Sequence, residues 1–126
     1  MLNRTKFMSF VASLVMLLVL APSVMAQFTP AIAADSQNVI DGTVVVKMAI
    51  ANGPSWVAIH ADDKGKPGVV LGQTAIPEGV SKDVTVAISG EGLTNVLHAM
   101  LHDDTGKVDE FEFPTADSPT RVGNAI

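Results

Sequence analysis

From Val39 onward, hydrophobic and polar residues alternate with a period of two along most of the chain, the pattern of half-buried β-strands. In the first such run Val44, Val46, Met48 and Ile50 share one face, and Val45, Lys47 and Ala49 share the other. Asn52-Gly53-Pro54-Ser55 predicts a turn. Residues 56–61 are apolar on both faces up to His60, which predicts a centrally placed strand. Residues 62–68 read as a polar loop. Extended structure then resumes over residues 69–76, with Gly72 marking a bulge or a point of close packing. After Pro77-Glu78-Gly79, Val84, Val86 and Ile88 alternate with Asp83, Thr85 and Ala87 until Ser89-Gly90-Glu91-Gly92 interrupts. Residues 95–103 are short and cleanly alternating, so strand is preferred to helix. Phe111 and Phe113 opposite Glu110 and Glu112 predict a last strand before Pro114, and residues 121–126 are candidates for a short edge strand. Turn signals at this spacing, with no convincing helix, predict an all-β domain. The expected fold is an immunoglobulin-like or Greek-key antiparallel β-sandwich of about seven strands, with a small closed barrel as the alternative.

The N-terminus follows a different pattern. Arg4 and Lys6 precede a nearly unbroken apolar run over residues 8–21, then Pro22 and the small-residue site Val24-Met25-Ala26. This is the layout of a secretory signal peptide. As a helix the run would span roughly 21 Å, short of the roughly 30 Å hydrocarbon core of a bilayer. Cleavage before Gln27 is expected, with cleavage after Ala33 as the alternative. The chain therefore divides into a signal peptide (1–26), a flexible lead-in rich in Ala, Thr, Ser, Pro and Gln (27–38), and the sandwich domain (39–126). The expected destination is secreted or periplasmic, with no membrane association after processing.

Charge narrows the partners. The net charge of −5 becomes −7 once Arg4 and Lys6 leave with the signal, and the remaining basic residues are scattered. An acidic surface without a basic patch argues against nucleic acid. The absence of cysteine excludes a disulfide framework, thiolate metal sites and thiol nucleophiles. Ser55, Ser81, Ser89 and Ser118 lie in turn-like contexts without a nucleophile elbow, and no phosphate loop or His-Glu-x-x-His helix occurs. A non-enzymatic binding or structural module is expected, its partner an extracytoplasmic protein or small ligand.

Several segments jointly carry a resemblance: Trp56-Val57-Ala58-Ile59-His60, Pro67-Gly68-Val69-Val70-Leu71-Gly72, residues 97–106, Glu112-Phe113-Pro114 and Asp117-Ser118-Pro119. In these the chain resembles an exported domain of unknown function found in bacteria and archaea, halophiles included, often as repeated or appended modules outside the membrane. The resemblance spans roughly residues 39–122. It implies an extracytoplasmic location and a β-rich fold, and it transfers no catalytic residue. The chain departs from that pattern at Asp109, where a small residue is expected, and at Thr120, where an apolar one is expected.

Candidate chemistry centres on His98-x-Met100-x-His102. A strand projects these side chains from one face, and His/Met mixtures suit copper. His98 and His102 lie about 13 Å apart along a strand, too far to share one ion without a bulge. Met100 and His102, completed by His60 from a neighbouring strand, form the preferred metal set. The plainer alternative has Leu97, Ala99 and Leu101 filling the core while His98 and His102 face solvent or cap a loop. The acidic turns after His60 and His102 bring Asp103 and Asp104 into consideration for calcium or another divalent ion. They lack Asp-x-Asp-x-Asp-Gly spacing, and ordinary Asp/Gly turn chemistry accounts for them.

Overall fold

The computed structural model describes residues 28–120. The segment expected to be a signal peptide and the suggested edge strand at residues 121–126 lie outside the described residues. Within them the chain is all-β, with six strands: β1 (Ala31–Ala33), β2 (Thr43–Ala51), β3 (Ser55–Asp63), β4 (Lys66–Ile76), β5 (Gly79–Ala87) and β6 (Leu97–Asp103). They form two antiparallel sheets of three strands, ordered β1-β2-β5 and β4-β3-β6. The chain crosses between sheets after β2, β4 and β5, which gives a Greek-key sandwich. The orders match the A-B-E and C′-C-F arrangement of immunoglobulin-like domains. Beside β6 the chain forms an isolated His102–Pro119 bridge, reinforced by Thr120 N donating to Leu101 O at 2.8 Å.

The core lies between the sheets. Val44, Val46, Ala49, Ala51, Val84 and Val86 face Val57, Ile59, Ile76 and Leu101 across it. One expectation changes here. The inner face of β2 does not run through Met48 and Ile50. It passes from Val44 and Val46 to Ala49 and Ala51, which are 0% and 1% exposed. The switch occurs at Lys47, where the ladder skips a pair between Val46–Val84 and Met48–Lys82; on β5 the skipped residue is Asp83, whose φ of 51° breaks the regular pleat. A local twist therefore moved the hydrophobic face by one residue, which periodicity alone does not reveal.

Other differences are local. Ala31–Ala33, inside the expected lead-in, forms β1, and Ile32 packs against the core beside Ala49. Gln37 continues the edge by imitating a strand: its Oε1 accepts from Val45 N at 2.7 Å while its Nε2 donates to Val45 O at 2.8 Å. The loop expected over residues 62–68 shrinks to a two-residue hairpin at Lys64-Gly65, both at positive φ (53° and 84°), the conformation that matches strand twist. Pro67 lies in edge strand β4, where a missing N–H is tolerated.

The predicted last strand at Phe111 and Phe113 is not a strand. Residues 104–119 fold instead as a turn-rich lid over the outer face of β3 and β6. Asp117 organises it. Fully buried and at φ 55°, its carboxylate accepts from Thr105 N at 2.6 Å and Glu112 N at 2.7 Å. Asp117 N donates in return to Thr105 Oγ1 at 2.9 Å. Backbone groups that a strand would have paired along a ladder are satisfied here by one carboxylate.

Candidate functional site: a buried histidine pair

The lid explains why β3 is buried on both faces, as its composition predicts. Val57 and Ile59 point into the sandwich, while Trp56, Ala58 and His60 point outward and are covered. On β6, Leu97, Ala99 and Leu101 face the core, and His98, Met100 and His102 lie on the outer side. Phe111 and Phe113 close over this second cluster. The Phe113 ring lies 4.8 Å from His102 and 5.9 Å from His60, and Phe111 lies 5.4 Å from Trp56 and 5.6 Å from His102, centroid to centroid.

His60 and His102 meet at the centre. They are 2% and 0% exposed, and their Nε2 atoms lie 3.1 Å apart. Ring centroids are 5.3 Å apart with planes only 11° from parallel, so the separation exceeds the nitrogen gap only by the two ring radii. The rings therefore meet head-on through Nε2. Their other nitrogens are anchored to backbone: His60 Nδ1 lies 2.8 Å from Gly68 O, and His102 Nδ1 lies 2.6 Å from Asp117 O. A carbonyl oxygen only accepts, so each Nδ1 carries the hydrogen and donates. In the neutral rings each Nε2 then presents a lone pair, and the two lone pairs converge on one point.

The pairing of β3 with β6 sets this meeting. In register, His60 pairs with His98 and Trp56 with His102, so the two rings lean toward each other along the strands. On the other side of β3, β4 bulges at Leu71, between the Ile59–Gly72 and His60–Val70 pairs. His98 goes elsewhere and bonds through Nε2 to Asp62 Oδ1 at 2.7 Å. That hydrogen bond holds the Asp62 carboxyl below the usual carboxylate range.

Of the residues proposed as metal ligands, the structure brings His60 and His102 together. Met100 shares their face of β6, opposite Ala58, and makes no hydrogen bond to either ring among the described residues. The Asp103 carboxylate accepts from Thr120 Oγ1 at 2.6 Å, and Asp104 Oδ2 accepts from Asp109 N at 2.9 Å. Both acids thus fasten the lid. Thr120 thus ties Asp103, and Asp109 occupies a turn at φ 64°. Among the described residues no three His, Cys, Asp or Glu side chains form a group able to hold an ion. The reading in which His102 faces solvent does not hold, because the lid covers it. Asp117 and the Gly68 carbonyl were not among the candidates. Their role depends on a contact fifteen residues away in one case and on a hairpin register in the other, and neither leaves a local sequence signal.

Burial pushes the His102 imidazole below its ordinary pKa of 6.5, and neighbouring His60 adds to this, against the opposing bond to Asp117 O and the charges of Asp117 and Asp103. The unfolded chain therefore takes up this proton at a higher pH than the folded chain does. Stability of the metal-free protein is expected to be full above about pH 6.5 and to fall on acidification below it, by up to about 1.4 kcal/mol per pH unit for one proton. Melting temperatures between pH 7.5 and 5 check this; the dependence should flatten in His102→Gln, and a flat wild-type profile would contradict it.

Fold and site together define a small immunoglobulin-like β-sandwich whose outer sheet face carries a lidded, buried histidine pair. The chain belongs to the family described as a domain of unknown function (DUF7282), whose pattern matches residues 30–126. No curated protein and no solved structure shows significant similarity to it.

Proposed function

We propose that this chain is an exported, non-enzymatic β-sandwich module that acts at the cell exterior, secreted or periplasmic, by binding an extracytoplasmic protein or small ligand or by a structural role. The observation that carries this reading is the order of segments. A basic, then apolar, then small-residue N-terminus stands directly ahead of a sandwich that closes without a single cysteine. The acidic character of the domain supports a soluble module that avoids anionic membranes and nucleic acid. Expression of the full chain in a bacterial host, followed by fractionation and intact-mass measurement, tests the reading. The expected product lies outside the cytoplasm and begins at Gln27, or at Ala34 if the second site is used. A cytoplasmic product retaining residues 1–26 would refute it.

A second reading, metal handling through His60, Met100 and His102, is favoured by one observation, the convergence of the two Nε2 atoms. On this reading copper, zinc or calcium raises the melting temperature of the purified chain. If none does, the reading ends.

A further inference from the structure

We propose that His60 and His102 form a buried two-coordinate site for one soft monovalent cation, copper(I), held between their Nε2 atoms. The proposal deepens the metal-handling reading and rests on it, but it changes the ligand set by leaving out Met100 and the acidic turns.

Orientation is the first argument. Each ring donates Nδ1–H to a backbone carbonyl, Gly68 O or Asp117 O, which fixes its tautomer and aims the Nε2 lone pair. Metal-bound imidazoles are oriented in this way. The head-on approach places both lone pairs on one line, the geometry of linear two-coordination.

Charge is the second. Two neutral rings so arranged repel through their lone pairs, and a single positive charge between them removes the repulsion. A proton can supply it, and so can copper(I). Exchanging one for the other leaves the net charge of the buried site unchanged. A divalent ion would add a second charge where desolvation is costly, and among the described residues no Asp or Glu groups with the pair to balance it. The Asp117 carboxylate is engaged by Thr105 N and Glu112 N, and that of Asp103 by Thr120.

Donor number is the third. Zinc takes four ligands in tetrahedral array, and copper(II) a tetragonal set of nitrogen and oxygen donors. No third His, Cys, Asp or Glu completes such a group among the described residues. Phe111 and Phe113 close over the pair and exclude the water that would fill further positions.

Bonds of about 2 Å on each side of a linear ion require the nitrogens to stand about 4 Å apart. From 3.1 Å the rings must part by a little under 1 Å. His102 is tethered to the lid through Asp117, so the lid moves with it. Trp56, the sole tryptophan, packs against Phe111 and reports that movement.

The experiment titrates the metal-free full chain with copper(I) under anaerobic conditions against a coloured copper(I) chelator, follows Trp56 emission, and records the X-ray absorption spectrum of the loaded protein. One copper(I) per chain is expected, with two nitrogen neighbours near about 2 Å and no sulfur near about 2.3 Å. His60→Gln and His102→Gln should each weaken binding at least about 100-fold. Met100→Leu and His98→Gln should bind as the wild type does. A sulfur neighbour, loss of binding in Met100→Leu, or preference for zinc or copper(II) would overturn the two-histidine site while leaving metal handling standing. No metal bound at all, with only a proton between the rings, would overturn both. Because the histidine variants also disturb the packing beneath the lid, the absorption spectrum of the unsubstituted chain decides the matter without them.

Discussion

Gly72→Ala is expected to leave little native protein. A Cβ at this position would sit 1.9 Å from the backbone oxygen of Ala87 and 3.0 Å from its carbon, and these atoms belong to the opposite sheet. No rotamer relieves that overlap, because both sides are main chain. Here β4 comes closest to β5, and Ser89 N donates to Leu71 O at 2.9 Å, so separating the strands also breaks a hydrogen bond that links the layers. Overpacking a core commonly costs about 1–3 kcal/mol, and a backbone clash lies at or above the upper end. Against the 5–15 kcal/mol typical of a domain, at least about 3 kcal/mol is a large fraction. Urea denaturation followed by Trp56 emission measures it. Gly53→Ala is the matched control, since a Cβ there meets nothing within 4 Å. A Gly72→Ala protein as stable as this control would show that the sheets do not approach as described.

Asp117→Ala is expected to release the lid. The substitution leaves the N–H groups of Thr105 and Glu112 without their acceptor, each at a cost of about 1–3 kcal/mol, and it places alanine at a φ of 55° that Asp tolerates better. A total loss near 3 kcal/mol is expected. The consequence extends beyond stability, because the Asp117 carbonyl holds His102 Nδ1 and the turn that positions this carbonyl depends on the carboxylate. With the turn gone, Phe111 and Phe113 lift from Trp56, His60 and His102. Tryptophan emission should shift to the red, and trypsin should cleave after Lys107, which lies in the lid, faster than in the wild type. Asn at 117 keeps one acceptor oxygen and should fall between. If Asp117→Ala loses under 1 kcal/mol and keeps its resistance to trypsin, the lid is held by something other than this residue.

Both predictions concern contacts between distant segments, and these mark where sequence reasoning stopped. The strands at residues 43–51, 55–63, 79–87 and 97–103 were legible because alternating burial leaves a period of two in the residues themselves. Gly72 was legible as a special position, although not which backbone it admits. The two-sided burial of β3 was legible too, but its cause was not: one face is covered by β2 and β5 and the other by a lid that reads as a strand. Phe111 and Phe113 alternate with Glu110 and Glu112 whether they lie in a sheet or in a turn held by Asp117. The lead-in concealed β1 because three residues are too few to show a period.

The candidate site divides in the same way. His60 and His102 were singled out by residue type, and the structure brings them together, but geometry reassigned their companions. Among the described residues Met100 and the acids Asp103 and Asp104 have the right chemistry and form no hydrogen bond to the pair, while Gly68 and Asp117 act through backbone carbonyls that any residue possesses. The sequence by itself determined the fold class, the strands β2 to β6 in outline and the choice of the two imidazoles, because burial periodicity and side-chain chemistry are local properties. Only the tertiary structure decided that those imidazoles meet nitrogen to nitrogen, buried beneath the lid. Register, bulges and the path of the lid depend on contacts between segments far apart in the chain, and no single segment encodes them.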